Sequence, residues 1–421
     1  MISRPTALIG GLLGALYTGA TLYRFSEHGP GFKGSDSYSR IAQQVLEQGG
    51  FETSFRPPLY PLFLAAMMQL FGSNWELGAV CVQGVAALVL GILVFKTAER
   101  LGGSIAHGGI ALALYLTNLT FQFEVMAKRE TVFFTLAMIV FLAAPLFIHR
   151  LWTRYLTMAC CAACALLMRP NAIILIPIFL AFAFVDRKRP DFSFGAVCAA
   201  ALLFVLTLLP WQLFVYRQTG SFPVTTSTNS GQTLWKGNNQ YLFSVFPWVD
   251  VDILEAQMSA EIGGLDITSS TGDKELKSQA GQFMLNNKLL TIRNAFIKAA
   301  LFFAPVPIPM GKGDITIDQG TATLSDYRYR SFPLLVFSTA HSLLLWIGWV
   351  GFALAPRASQ EWRKYAVVSV LLTVFLLGIH VLTYPESRYR WPLDIFLTIL
   401  SANYLCARFG FGAAREETSS V

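Results

Sequence analysis

The sequence has little charge for its size. Only 14% of its 421 residues are Asp, Glu, Lys or Arg, whereas 54% are hydrophobic. A soluble domain normally carries about 25% charged residues. This shortage, together with repeated apolar runs of about 20 residues, excludes an ordinary soluble domain and indicates helices that cross a membrane. The net charge of +7 does not indicate a nucleic-acid partner, because basic residues orient membrane proteins and contact anionic lipids.

Familiar catalytic and metal-binding motifs are also missing. The sequence has no Walker, GxGxxG, HExxH or GxSxG motif, and its five histidines form no metal-binding pattern. Its six cysteines lie inside apolar runs. Cys161 and Cys164 form a CxxC pair, for which zinc or redox chemistry is one interpretation and plain helix packing is the favoured one. The residues therefore predict no metal site, no required cofactor and no disulfide framework.

The apolar runs predict an all-α polytopic membrane protein with about ten transmembrane helices. The candidate spans are 5–23, 77–95, 105–122, 131–148, 155–168, 171–185, 194–215, 332–355, 365–383 and 391–408. The run 59–71 is too short to cross a bilayer and predicts an interfacial or re-entrant helix. The first run lacks a signal-peptide cleavage site and is expected to be a retained helix.

Basic residues predict the orientation of these spans. The connections richer in Lys and Arg are expected to be cytoplasmic, with both termini inside, and a bacterial inner membrane is the default location. The outer face then carries the long connections, 24–76 and 216–331, and the last three spans follow at 332–408. We expect one membrane domain, 1–421, with its functional surface on the extracytoplasmic side.

Several short outer loops carry basic residues of their own, which blur this orientation. They are Arg56, Lys128, Arg129, Arg169, Arg388 and Arg390. One interpretation is that they are interfacial side chains that extend to the headgroups. The other is that they converge on an anionic ligand such as a phosphate, since charges near a bilayer usually face a cavity or a partner. The set as a whole favours the anion site.

The polar block 34–61 follows the first apolar run and contains Asp36. After Asp36, apolar residues at Tyr38, Ile41, Ala42, Val45 and Leu46 have the spacing of an amphipathic helix that lies on the membrane surface. Asp36 stands at its start, where an aspartate serves equally well as a helix cap or as a catalytic carboxylate.

Two further loops carry candidate site residues. Glu130 directly precedes an apolar run, where it is either a first-turn acid favoured by the helix dipole or a second carboxylate that converges on Asp36. The segment 384–392, YPESRYRWP, contains Glu386, Arg388 and Tyr389 between two spans. It is either an interfacial anchor or a phosphate clamp, because guanidinium groups present forked donors.

In their order and spacing, these pieces resemble the GT-C superfamily of membrane glycosyltransferases. The resemblance is strongest to the group with protein O-mannosyltransferases and the lipid A aminoarabinose transferase. It rests on DSYSRIAQQVLEQG, RPPLYPLFLAAMMQLFG, KRETVFF, MRPNAIILIP, the segment after LPWQLFVYRQTG, and ESRYRWP. It implies a GT-C type bundle and transfer of a sugar from a polyprenyl-phosphate carrier on the extracytoplasmic side.

The resemblance also implies residue roles. Asp36 corresponds to the family's first-loop acid, which is the general base or the carboxylate that orients the acceptor, and Glu130 corresponds to its second acid. Arg388 and Tyr389 correspond to the motif expected on the lipid phosphate. From their place in the outer loops, Arg56, Lys128, Arg169 and Glu386 are predicted as further binding residues. Ser37 stands where protein mannosyltransferases have a second acid, so the acceptor, whether glycan, lipid or protein, stays open. No metal is required, although a divalent metal is compatible with this chemistry.

Two alternatives belong to other functions. A flippase or transporter for a lipid-linked sugar would also need basic residues facing a cavity, but it predicts charges in mid-span and repeated halves, which the sequence lacks. The second alternative is a polymerase or ligase that joins whole glycan chains. The long polar outer loops favour a transferase, with membrane lipid, a lipid-linked donor and an acceptor as partners.

Overall fold

The computed structural model of this chain describes residues 36–220, 226–318, 321–355 and 359–410. The predicted first span, 5–23, and both chain ends lie outside these ranges. The first helices are α1 (Asp36–Gln48), α2 (Leu59–Phe71), α3 (Trp75–Gly102), α4 (Ile105–Thr117), α5 (Leu119–Val125), α6 (Thr131–Phe147), α7 (Leu151–Leu166), α8 (Leu175–Asp186) and α9 (Phe194–Thr219). The later elements are α10 (Ser230–Gly237), α11 (Leu242–Val245), α12 (Glu255–Glu261), α13 (Ser270–Asn286), α14 (Lys288–Phe302), β1 (Gly311–Asp318), β2 (Thr321–Tyr329), α15 (Phe332–Leu354), α16 (Gln360–Leu382) and α17 (Ser387–Phe409). Short 3-10 turns occupy Gly72–Asn74, Pro170–Ile174 and Val251–Leu254.

The chain is a mostly helical membrane protein with one small sheet. Among the described residues, four helical stretches are long and apolar enough to cross a membrane: Leu59–Gly102, Phe194–Thr219, Phe332–Leu354 and Gln360–Leu382. The predicted spans 105–122, 131–148, 155–168 and 171–185 form shorter apolar helices, whereas 391–408 lies within α17, which has 23 residues. The run 105–122 forms two helices because the Asn118 side chain accepts a hydrogen bond from the Phe121 amide, which starts a new helix at the end of α4.

Helix α17 lies at the centre of the bundle. It packs against α3, α4, α6 and α15, and Leu393, Phe396 and Leu400 on it are at most 1% exposed. Between helices in lipid, close packing rather than the hydrophobic effect drives association. A Cβ atom added at Gly348 of α15 would lie only 2.6 Å from the Ser401 side chain of α17. Two small residues therefore let these helices approach closely.

The polar block folds as the sequence predicts. In α1, Tyr38, Ile41 and Ala42 are buried, while Leu46 is exposed at the end of the apolar stripe. The helix stops before Gly49, whose φ of +72° suits glycine. Helix α1 packs on α2, and α2 packs on α3, so the block is held against the bundle.

The segment after α9 forms a small extramembrane layer. Helices α10 and α13 pack on each other, and Trp235, Leu254 and Leu276 belong to a separate hydrophobic cluster. The strands β1 and β2 pair in an antiparallel hairpin in which Ile315 lies opposite Leu324. The pairing has an irregularity between Lys312 and Asp314. The layer places the turn at Val251–Leu254 beside the site.

Candidate functional site

A buried ion pair joins the ends of two helices. Glu130 directly precedes α6 and Arg169 follows α7; Arg169 Nε donates a hydrogen bond of 2.5 Å to Glu130 Oε1, and Nη2 donates one of 2.7 Å to Thr131 Oγ1. The two charged side chains are 7% and 8% exposed. Within the described part of the chain, Arg169 Nη1 is buried without a hydrogen-bond partner. An unsatisfied buried donor costs about 1–3 kcal/mol, so this nitrogen favours an incoming acceptor.

Glu130 is held in its ionised form. Burial alone would raise its pKa, but the Arg169 guanidinium and a hydrogen bond from the Tyr38 hydroxyl hold the pKa at about 2. In return, burial and then the Glu130 carboxylate raise the pKa of Tyr38. A carboxyl group with so low a pKa gives a carboxylate that is a weak base at neutral pH. The geometry therefore suits Glu130 to orienting Arg169 rather than to accepting a proton.

Two guanidinium groups contact the Tyr389 ring. Arg169 Cζ is 5.8 Å and Arg388 Cζ is 5.1 Å from its centroid. Its hydroxyl lies 3.4 Å from Arg388 Nη2, which donates to it, and 3.0 Å from the Tyr384 hydroxyl. Cations within about 6 Å of an aromatic face are attracted to it. Three predicted residues from two separate loops are thus brought together here.

Arg388 also contacts carboxylates. Its Nε is 2.7 Å from Glu386 Oε2 in an ionic contact without hydrogen-bond alignment, and its Nη2 is 3.8 Å from Asp252 Oδ2. Asp252 Oδ1 in turn lies 2.6 Å from the buried Lys236 Nζ, which is also 2.8 Å from Glu255. The extramembrane layer therefore supplies charged residues to the site.

Glu386 differs sharply from Glu130. Burial, helped by Asp250 and Asp252, raises the pKa of Glu386 to about 8 despite the nearby Arg388. Two carboxylates whose pKa values are pushed so far apart serve different chemical roles. Near neutral pH, Glu386 holds its proton for much of the time and weakens the neutralisation of Arg388.

Arg56 approaches the same cluster from the polar block. It lies over the Tyr38 ring at 5.1 Å and over Phe55 at 4.9 Å, and its Nε donates to Ser37 Oγ at 3.3 Å. Burial would raise the pKa of Asp252, but Lys236 and then Arg388 lower it to about 2, and Arg56 adds a smaller effect. No carboxylate among the residues whose side chains are described lies within ion-pair distance of Arg56, so its charge is open to an anion.

One predicted residue stands apart from this cluster, and the side chain of another is not among those described. Lys128 pairs with Glu76 at 2.6 Å and lies 5.4 Å from the Trp75 ring, so the structure gives its charge a local partner. Asp36 begins α1, two residues before Tyr38, but its side chain lies outside the described residues. Its role stays a prediction, supported by the position of its neighbour against Glu130.

The sequence alone does not indicate several contributors. Tyr38 counts there only as part of an apolar stripe, and nothing local shows that its hydroxyl contacts Glu130. Asp252 and Lys236 belong to the long segment 216–331, whose role the sequence leaves open. Their charges, isolated in a polar stretch, are the one available signal. Among the described residues, no group of three or more His, Cys, Asp or Glu side chains is placed to hold a metal ion.

Comparison with known proteins gives the class. A family model described as dolichyl-phosphate-mannose-protein mannosyltransferase matches residues 55–213, a range that includes Arg56, Lys128, Glu130 and Arg169. This match confirms the resemblance to the GT-C superfamily of membrane glycosyltransferases, and the chain is a glycosyltransferase. Asp36 and the segment 386–389 lie outside the matched range.

Solved structures show only a loose likeness. ArnT from Cupriavidus metallidurans bound to undecaprenyl phosphate is 12% identical, with a TM-score of 0.39, over 93% of this chain and 77% of that one. The apo state of ArnT is 13% identical with the same TM-score of 0.39, over 93% of this chain and 76% of that one. Likeness at this level carries no argument about the ligand of this chain. Curated proteins yield no match.

Proposed function

We propose that this glycosyltransferase moves a sugar from a polyprenyl-phosphate carrier to a hydroxyl of a glycan, lipid or protein, by a single inverting displacement. The observation that carries the proposal is the buried Arg169 Nη1, which has no partner in the described part of the chain. Arg56, which lies over the Tyr38 ring, is a second cation of the same cluster. Forked guanidinium donors in a water-poor site suit a phosphate leaving group.

In the proposed step, the acceptor hydroxyl oxygen attacks the anomeric carbon and forms the new glycosidic bond. Asp36 takes the hydroxyl proton as general base. The bond between the anomeric carbon and the phosphate oxygen breaks, and the lipid phosphate leaves with the electron pair. Arg169, Arg56 and Arg388 stabilise the charge on that phosphate, while Glu130 positions Arg169, and the Tyr389 ring contacts Arg169 and Arg388.

We place this step on the extracytoplasmic face of the membrane. Glu130, Arg169 and Glu386 all lie at helix ends on one side of the bundle, next to the polar segments 36–58 and 226–331. The more basic connections lie at the opposite helix ends, which the positive-inside rule assigns to the cytoplasm. The inner membrane of a bacterium, with both termini cytoplasmic, stays part of the proposal.

Transfer from a polyprenyl-phospho-sugar by the purified protein tests this function. We expect the Asp36→Asn variant to lose about a hundredfold or more in the rate of transfer, the usual contribution of a positioned base. Glu47→Gln, on the same helix and exposed, is the matched control and is expected to leave the rate unchanged.

The donor KM distinguishes the loss of the general base from the loss of donor binding. If Asp36 acts as the base, the variant keeps the donor KM of the natural protein while its turnover falls. A near-normal turnover in Asp36→Asn would exclude the general-base role. Absence of transfer by the natural protein, with movement of the donor across a bilayer, would indicate the flippase instead.

A further inference from the structure

A cavity lies at the end of the bundle opposite the transferase site. It has a volume of about 430 Å³ and is lined by residues of α6, α7, α8 and α16 and of the loop after α8. Glu130 precedes α6 and Pro145 lies near its end, and at 1.5 Å per residue the 15 residues between them span about 22 Å. The cavity is therefore separate from the transferase site.

The lining of this cavity is amphiphilic. Pro145, Phe182, Phe184 and Val185 provide an apolar wall, and Phe184 is 59% exposed, so the cavity reaches the outer surface of the bundle. Ligand pockets of about 300–1,000 Å³ typically combine such walls with a few polar groups. A purely polar metabolite would leave this wall unused, whereas a lipid would cover it.

The polar part of the lining is predominantly basic. Four cationic side chains, Arg154, Lys188, Arg189 and Lys364, face two carboxylates, Asp186 and Glu361. Asp186 is already engaged, because Arg154 Nη1 donates to it at 2.8 Å and the Tyr155 hydroxyl at 3.2 Å. The two carboxylates of the lining therefore do not neutralise its four cationic side chains.

Two lysines are the cations of this lining that are available to a ligand. Lys188 is exposed and has no ion-pair partner among the residues that the structure describes, while Lys364 is 2.8 Å from Glu361, whose side chain is 44% exposed. An exposed pair of this kind contributes little and exchanges its partner readily. Arg189 instead holds Asp191 through two nitrogens, at 3.0 Å each.

We propose that this cavity binds the phosphate group of an anionic membrane phospholipid, with Lys188 and Lys364 on the phosphate and Phe182 and Phe184 along the acyl chain. Basic pockets between membrane helices on the cytoplasmic side are suited to anionic headgroups. The bound lipid would tie α8 to α16 at the membrane surface, away from the sugar donor.

The test uses the full-length protein in neutral detergent, with lipid binding followed by native mass spectrometry. Phosphatidylglycerol is expected to bind and phosphatidylcholine, which has no net charge, is not. In Lys188→Gln/Lys364→Gln, phosphatidylglycerol binding is expected to weaken about thirtyfold, from the usual contribution of two basic residues.

A matched control removes two other charges. Lys274→Gln/Arg363→Gln has the same net charge as the test variant, and Arg363 is the exposed neighbour of Lys364 outside the cavity. This control is expected to bind phosphatidylglycerol like the natural protein. The charge-keeping variant Lys188→Arg/Lys364→Arg should bind it as well, which separates lost charge from misfolding.

Two outcomes would overturn the proposal. One is equal binding of phosphatidylglycerol by the test variant and the control variant. The other comes from a lipid-free arm with inorganic phosphate: if phosphate alone binds with the same dependence on the two lysines, the ligand is a soluble phosphate and not a lipid.

Discussion

The two ends of the bundle each contain a buried arginine–carboxylate pair, and the pairs differ in how completely they are satisfied. At one end, Arg154 donates to Asp186 and to the Ile148 carbonyl, and Tyr155 donates to the same carboxylate. At the other, Arg169 donates to Glu130 and Thr131 but keeps one buried nitrogen without a partner in the described chain. Both are arginine–carboxylate pairs, but only the second has a buried N–H donor without a hydrogen-bond partner within the described ranges.

This difference separates a structural pair from a candidate binding residue. A buried ion pair by itself is weak support for function, because its Coulomb attraction mainly offsets the loss of hydration. An unsatisfied donor held rigidly by such a pair is different, because a ligand oxygen relieves its cost. Glu130 thus holds Arg169 in place to bind an anion. Asp186 instead satisfies the hydrogen-bonding capacity of Arg154, which then needs no ligand.

The largest effect is expected from breaking the satisfied pair. Arg154→Met leaves the Asp186 carboxylate buried without its cation, which should lower the free energy of unfolding by about 3–5 kcal/mol. Unfolding in mixed detergent measures this loss, and the exposed Arg150→Met is the control. Transfer activity per folded molecule should not change. Equal stability of the two variants would contradict a structural role for the pair.

The next effect comes from the unsatisfied pair. Arg169→Lys keeps the charge but not the fork, so it cannot hold Glu130 and also donate to a phosphate. We expect kcat/KM for transfer to fall about a hundredfold, the typical loss for one preorganised donor. Arg154→Lys, at the other end, should retain activity. A fully active Arg169→Lys would remove the distinction drawn between the two pairs.

A pH-dependent effect is expected from Glu386. Its pKa in the fold, about 8, lies above its ordinary value of 4.5, so folding favours its protonated form. Its contribution to stability is fully present below about pH 4.5 and is lost as the pH rises through about 8. Glu386→Gln, followed by thermal unfolding at several pH values, should flatten this decline.

The control for Glu386 is Glu52→Gln, an exposed glutamate that should leave the pH profile as it is. Lys298 does not obscure the result. Burial lowers its pKa to about 8, below the ordinary 10.5, so its effect is a gain in stability that begins only as the pH rises above 8. An unchanged slope below pH 8 in Glu386→Gln would show that Glu386 ionises normally.

The smallest effect should distinguish two cations that the sequence treats alike. Arg56→Gln is expected to raise the donor KM about tenfold, the usual contribution of a hydrogen bond to a charged group. Lys128→Gln should leave the donor KM unchanged, because Lys128 already pairs with Glu76. A raised donor KM in Lys128→Gln alone would assign the phosphate to the Lys128 side instead.

The helices could largely be predicted because their signals are local. The predicted 59–71 helix coincides with Leu59–Phe71, since two prolines precede it and Gly72 follows it. The division of the run 105–122 into two helices was harder to predict, because it depends on one side-chain hydrogen bond at Asn118. For the same reason the sequence could not separate Lys128 from Arg169, since the partner of each lies 39 residues or more away along the chain.

Composition and apolar runs are properties of the chain alone, so they already indicate a helical membrane protein, and the ordered motifs predict a glycosyltransferase. The tertiary structure decided which charges are neutralised and which stay open. That depends on distances between side chains remote in sequence, such as Arg169 to Glu130 and Arg388 to Asp252. Charge balance in a buried site is a property of three-dimensional proximity, and no local pattern encodes it.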